Sequence, residues 1–192
     1  MFGKPLGKAS SKTHKTALCI IPPLDLWPAI QKIRKKHDKQ FRRWMPHINL
    51  LYPFKPKSEF GSVIDLLEHA CSQIDPVEVC LSDISSFKHG QKGFTFWLKV
   101  DPEGSIKALQ ERLWKMVPEC DELRKFANGY TPHLSIGQSK GKEKSMRLIE
   151  SLQASWKPLK FRVSEISLIW RRDPPNDVFR VAETLTLGKS TH

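Results

Sequence analysis

Apolar positions recur along this chain in two rhythms, and the alternation between them predicts a mixed α and β fold. Residues 16–22 (Thr-Ala-Leu-Cys-Ile-Ile-Pro) form a short apolar run typical of a buried strand. A helix is predicted from Asp25 to about Lys39, with Asp25 as its N-cap and Pro28 in the first turn. Leu26, Ile30, Ile33 and His37 share one face of it, and Lys32, Lys35, Lys36 and Lys39 form a basic outer surface. A second helix is predicted over 59–74, capped by Ser58, with Phe60, Val63, Ile64, Leu67, Cys71 and Ile74 on its apolar face. Residues 77–87 and 94–100 read as strands flanking the turn cluster His89-Gly90-Gln91-Lys92-Gly93, hence an antiparallel hairpin. A third helix over 105–117 turns Ile106, Leu109, Leu113 and Met116 inward, and a fourth ends near Ala154. Two closing strands, 159–171 and 178–187, are joined by the breaker cluster at 173–177. Residues 1–15, basic and unpatterned, are expected to be a flexible tail, leaving 16–189 as a single domain, a size that also suits two similar lobes.

Two segments stand apart from this scaffold. Residues 46–54 read Pro-His-Ile-Asn-Leu-Leu-Tyr-Pro-Phe, and residues 132–137 read Pro-His-Leu-Ser-Ile-Gly. In a strand, side chains two apart point to the same face. His47 and Asn49 would then share one face while Ile48 and Leu50 enter the core, and His133 and Ser135 would share a face opposite Leu134 and Ile136. Set side by side, the two strands would present two imidazoles and two small hydrogen-bond donors to one cleft. A neutral imidazole can accept the proton of an attacking oxygen while a protonated one supplies the leaving oxygen, which is what cleavage of a phosphodiester requires. The bland alternative for either segment alone is an edge-strand histidine with ordinary hydrogen bonds.

Composition narrows the setting. There is no run of about 18 apolar residues to span a membrane and no apolar stretch behind the basic N-terminus to act as a secretory signal. Cys19, Cys71, Cys80 and Cys120 lie far apart, without metal-ligand or redox spacing, so no metal and no cofactor is expected and reduced, buried thiols in an intracellular protein, cytoplasmic or nuclear, are. The net charge is +12, and residues 1–43 hold eleven Lys or Arg against two Asp. Such a balance fits a polyanionic partner or a solvated surface, and RNA suits a phosphodiester site. Arg42 and Arg43 just before the first motif are candidates for contacting an RNA backbone. Tyr130, just before the second, is a candidate for stacking on a base or for packing in the core or rim, and Phe87, Phe96 and Trp97 are read as core or cleft border.

The paired segments resemble the two His-x-Thr/Ser motifs of the two-histidine (2H) phosphoesterase superfamily, which includes LigT-type 2′-5′ RNA ligases and cyclic nucleotide phosphodiesterases. The phrase PHINLLYPF is similar to a eukaryotic branch that includes leukocyte-receptor-cluster-type proteins. Asn49 stands where the superfamily usually has Thr or Ser, and its amide can still donate to a phosphate oxygen. The resemblance covers most of residues 16–187 in element order. It implies an α+β fold of two antiparallel-sheet lobes about a pseudo-twofold, with helices outside and a central cleft. It further implies His47 and His133 as the acid/base pair, Asn49 and Ser135 as phosphate ligands, and Arg171, at a strand end near the cleft, as a further phosphate contact. The expected substrate is an RNA or nucleotide carrying a 2′,3′-cyclic phosphate or a 2′-5′ linkage, handled without metal by a monomer. Two other readings remain open: a non-catalytic RNA-binding module with a degenerate site, and an enzyme acting on cyclic ADP-ribose phosphates.

Overall fold

The structure, a computed structural model, describes residues 12–90 and 93–188. In chain order the elements are β1 (Thr16–Ile20), α1 (Trp27–His37), β2 (Ile48–Leu51), α2 (Gly61–Ser72), β3 (Val77–His89) and β4 (Gly93–Asp101), then α3 (Glu103–Met116), β5 (His133–Lys140), α4 (Lys142–Ser155), β6 (Leu159–Val163), β7 (Glu165–Trp170) and β8 (Arg180–Thr186). The strands form two antiparallel sheets in the orders β2-β1-β7-β8 and β5-β4-β3-β6. Each motif strand is thus the edge of its own sheet, and β2 packs against β5 where the two edges meet. The α+β class and the two-sheet architecture are those expected.

One large core cluster joins both sheets. It holds Leu18, Ile20, Ile48 and Leu50 from the first, Leu81, Leu98, Leu134 and Ile136 from the second, and Ile30, Leu67 and Leu109 from the helices. Burying these apolar faces is the main driving force for the fold. Alternation inside β2 and β5 is what leaves their other faces for chemistry: Ile48 and Leu50 are fully buried, whereas His47 and Asn49 are only half-buried. A smaller cluster of Ala17, Cys19, Ile169 and Phe179 lies apart from the main core, with Trp44, Met45 and Tyr52 packed on it.

Several boundaries differ from expectation. The run 159–171 is two strands, not one: the chain breaks at Ser164, so that β6 pairs with β3 and β7 with β1, in different sheets. Phe161 and Val163 on one side of the break and Ile166 and Leu168 on the other all enter the same core, so the apolar rhythm runs on through the crossing. Asp25 and Ser58 do not cap; each lies in a short 3-10 turn, and the N-cap positions are Leu26 and Phe60, neither with a side-chain cap. Residues 1–11 of the expected tail, Gln91 and Lys92 of the hairpin turn, and Lys189 lie outside the described residues. Residues 12–15 are tied down: Thr13 exchanges backbone hydrogen bonds with Phe54, and Lys15 pairs with Asp173 at 2.7 Å.

Gly137, read as the end of the second motif strand, lies within β5, which continues to Lys140. A bulge precedes it, since Gly137 and Ser135 face the successive residues Phe96 and Trp97. Glycine is needed there because a Cβ at Gly137 would lie 2.6 Å from the Cβ of His37, at the end of α1. Replacing Gly137 by Ala is expected to push α1 off β5 and to destabilise the fold by roughly 1–3 kcal/mol, measured as a lower urea midpoint at unchanged m-value.

Candidate active site

His47 and His133 are held in the same way. His47 Nδ1 lies 2.8 Å from the carbonyl of Met45, and His133 Nδ1 lies 2.8 Å from the carbonyl of Thr131, two residues upstream in each case. A carbonyl can only accept, so Nδ1 carries the hydrogen in both rings and Nε2 is left as the atom that gains or loses a proton. Each ring also rests against aromatics. Trp44 stacks on His47 at 4.3 Å between centroids and is itself stacked on Phe179 at 3.7 Å. Phe87 and Trp97, stacked at 4.8 Å, meet His133 edge-on at 5.0 and 5.9 Å.

Burial sets the electrostatics. Both residues are half-buried, and their rings are largely removed from water. Desolvation lowers the pKa of His47 to about 4, with positive charge on Arg34 and His133 pushing the same way and the Met45 carbonyl opposing. Desolvation also lowers His133, against its bond to Thr131. β2 and β5 pack against each other, and charge on His133 bears on His47. In the free protein both are therefore neutral near pH 7.

The expected partners are distributed around this pair. Ser135 shares the face of β5 that carries His133, and is paired with Trp97 across the ladder. Asn49 is half-buried beside Cys19 of β1, and its side-chain Oδ1 is buried without a hydrogen-bond partner. Of the two settings open to Tyr130, the core is the one found: its ring is buried there, and its hydroxyl donates to the backbone carbonyl of Asn49 at 2.8 Å, linking the segment before β5 to β2. Arg171 lies behind the His47 aromatics, its guanidinium 5.6 Å from the Phe179 ring, with Nη1 bonded to the Arg172 carbonyl and a buried Nε that has no partner. Phe96 is fully buried core. Arg42 and Arg43 are not free for an RNA backbone: both pair with the buried carboxylate of Asp177, Arg43 Nε at 2.7 Å, and hold its pKa below the usual carboxylate range.

Sequence reasoning missed Trp44, Phe179, Asp177 and Arg34. Arg34 is 1 % exposed; it bonds Asp38, and its Nη2 donates to the Trp44 carbonyl at 2.9 Å. Asp177 fixes the segment ahead of His47 from more than a hundred residues away, and Phe179 N donates to the Arg43 carbonyl at 2.8 Å. The local signal for Asp177 is weak, since the 173–177 turn holds two acidic residues, Asp173 and Asp177. Lys99, another residue that periodicity does not single out, is exposed and directly opposite His133 in the ladder, on the same face. Among the described residues no three His, Cys, Asp or Glu side chains converge as metal ligands, and no helix is long and apolar enough to cross a membrane.

Comparison with known proteins gives consistent findings. A sequence model described as the 2′-5′ RNA ligase superfamily matches residues 22–175. A protein of Staphylococcus aureus (strain Newman) named as a putative phosphoesterase is 26% identical over 172 residues, covering 89% of this chain and 98% of its own. Among solved structures, a Thermus thermophilus protein is similar with a TM-score of 0.62 at 16% identity, covering 92% of this chain and 99% of that one. The LigT protein of E. coli, solved with 3′-AMP, is similar with a TM-score of 0.63 at 14% identity, covering 91% and 98%.

A histidine buried neutral binds fewer protons than it does unfolded, so stability rises with pH between the folded and unfolded pKa values. For His47 that window runs from about 4 up to the ordinary value of 6.5. Lowering the pH from 7 to about 4.5 should cost about 2–3 kcal/mol through this one residue. In urea titrations, His47→Gln should lose correspondingly less stability than wild type over that interval.

Proposed function

The chain belongs to the 2′-5′ RNA ligase superfamily of two-histidine phosphoesterases, and from that premise we propose that it is a metal-independent phosphodiesterase that opens 2′,3′-cyclic phosphates on RNA ends or nucleotides. The observation that carries this reading is the matched pair of imidazoles, each with Nδ1–H on the carbonyl two residues back and Nε2 left free. One neutral Nε2 takes a proton from the attacking water as its oxygen bonds to phosphorus. The other, protonated, gives its proton to the departing 2′ or 3′ oxygen as that P–O bond breaks. A phosphate monoester with one free ribose hydroxyl results, and the base releases its proton to solvent while the acid regains one, which resets the pair.

Asn49 and Ser135 are the proposed donors to the non-bridging oxygens. A buried Oδ1 without a partner in Asn49 supports a side chain turned with its NH₂ to the ligand. Arg171 is proposed as a nearby positive charge with unused donor capacity. Tyr130 takes a positioning role, holding the Asn49 backbone. The substrate also accounts for protonation of the acid: an anionic phosphate beside a desolvated imidazole favours its charged form and raises its pKa on binding. The 3′-AMP bound by LigT is the kind of nucleoside monophosphate such a reaction yields, and supports a nucleotide ligand.

The reading is tested with a short RNA ending in a 2′,3′-cyclic phosphate, in the presence of EDTA. His47→Ala and His133→Ala are each expected to lower turnover by ~10²–10⁴-fold, with wild-type turnover unaffected by the chelator. Turnover that needs added metal, or binding of the RNA without cleavage by wild type, would overturn it, the second outcome favouring a non-catalytic RNA-binding module.

Desolvation of the pair also bears on the rate profile. A base with a lowered pKa stays available to lower pH, and an acid with a lowered pKa loses its proton sooner. Both limbs of the bell in kcat/KM, which reports the free enzyme, move to acid. The optimum is expected below pH ~6.5, the value of an unperturbed imidazole, and an optimum on the alkaline side would contradict the desolvated pair.

A further inference from the structure

A concave groove of about 850 Å³ lies between the end of α1, the end of β5 and the first turns of α4. Three separate chain segments bring six cationic side chains to it: Lys35, Lys36 and Lys39, then Lys140, then Lys144 and Arg147. All six are exposed. No ion pair engages any of the five lysines among the described residues, and Arg147 meets Glu143 only at 4.0 Å. The one carboxylate lining the groove, Asp38, is committed to buried Arg34, to Gln40 N and to Gln138 Nε2. A solvated lysine face on a single helix needs no partner, but here like charges converge in a hollow, where their fields add and their repulsion is left uncompensated.

The groove lies farther along the strand that carries His133. β5 begins at His133 and reaches the groove at Gln138, five residues on, or roughly 17 Å at ~3.3 Å per residue. That is the length of roughly five nucleotides at the stacked spacing of ~3.4 Å per step. The groove is concave and Leu148 is its one large apolar lining residue, which suits a flexible anionic strand lying in it and does not suit insertion into a lipid surface.

We propose that this groove binds the sugar-phosphate backbone of a single-stranded RNA whose reacting phosphate occupies the histidine cleft, so that the preferred substrate is an oligonucleotide rather than a mononucleotide. The proposal deepens, and for its link to the cleft rests on, the phosphodiesterase reading. The groove's cations meet phosphates, so binding is expected to be strongly dependent on salt and indifferent to sequence.

The test uses the full chain with three groove lysines reversed, Lys36→Glu, Lys140→Glu and Lys144→Glu, and a second variant with the same three changed to Gln. Binding of a ~12-nucleotide single-stranded RNA and of a dinucleotide is followed by fluorescence anisotropy across a salt series, with His47→Ala added so that no RNA is consumed. Affinity for the longer RNA is expected to fall at least tenfold on reversal and by less with Gln. The slope of log K against log salt should flatten by about 2, at ~0.7 for each phosphate no longer neutralised. Dinucleotide affinity, and turnover of a cyclic mononucleotide by the reversed variant with His47 intact, should stay within about twofold.

Unchanged affinity for the longer RNA, or equal wild-type affinity for both lengths, would overturn the groove. So would capture of phosphatidylserine vesicles by the groove lysines without RNA binding. Equal weakening with long and short ligands would trace the effect to the cleft and also overturn it. Length-dependent, lysine-dependent binding without any turnover would retain the groove and reject the catalytic reading, so the two fail separately.

Discussion

Arg34 and Asp38 form an ion pair whose side chains are both 2 % exposed, at the last turn of α1, and the geometry around His47 hangs on it. Burying two charges costs several kcal/mol per ion unless their hydrogen bonds are filled. Here they are filled, and by the groups that shape the site. Arg34 bonds Asp38, Gln31 and the Trp44 carbonyl, while Asp38 accepts from the backbone of Gln40 and from Gln138 of β5. Gln138 in turn accepts from Lys39 N at 3.0 Å. One ion pair therefore joins α1, the segment that delivers His47 and the strand that carries His133. The close approach at Gly137 lets α1 reach that strand. Breaking such a pair from one side leaves an uncompensated buried charge, which explains why an expensive interaction is kept where position matters.

Around that anchor the two sheets repeat one arrangement. A motif strand forms each sheet's edge, its histidine donates to the carbonyl two residues upstream, and a pair of stacked aromatics borders the ring. The repetition is not perfect, because Trp44 stacks face to face on His47 whereas Phe87 and Trp97 meet His133 edge-on. Parallel stacking and a T-shaped contact set an imidazole differently in the quadrupole field of its neighbours. The two imidazoles thus have the same tautomer and different surroundings, the condition under which two like groups can take opposite roles.

The phosphoesterase fold here holds its histidines in a dry setting where the charges that bear on His47, Arg34 and Asp38, are already spent on each other. With Asp38 spent on Arg34, the charge that favours protonation comes, on the proposed reading, from the ligand. On the proposed reading this ties proton inventory to occupancy. An empty site rests neutral, and an anionic phosphate creates the acid it then uses. On the same reading the unpaired lysines along α1, β5 and α4 act at longer range, drawing polyanions toward that edge of the molecule.

Much was legible in the sequence because it is written in local periodicity. Alternation in PHINLL and PHLSI settles which side chains enter the core and which face outward, and 3.6-residue spacing places the helices; both follow from backbone geometry alone. The same local signals misled where one core serves two sheets, at Ser164, and where glycine meant close approach rather than a strand end, at Gly137. What only the tertiary structure decided are the long-range pairings. Arg42 and Arg43 are candidates for an RNA backbone until Asp177 is seen between them, Tyr130 is open between a stacking ring and the core until its hydroxyl reaches Asn49, and nothing local marks Arg34 until burial joins it to Asp38 and Trp44. A residue's sequence neighbours fix its periodicity, but its desolvation and its partners depend on which distant segments fold against it.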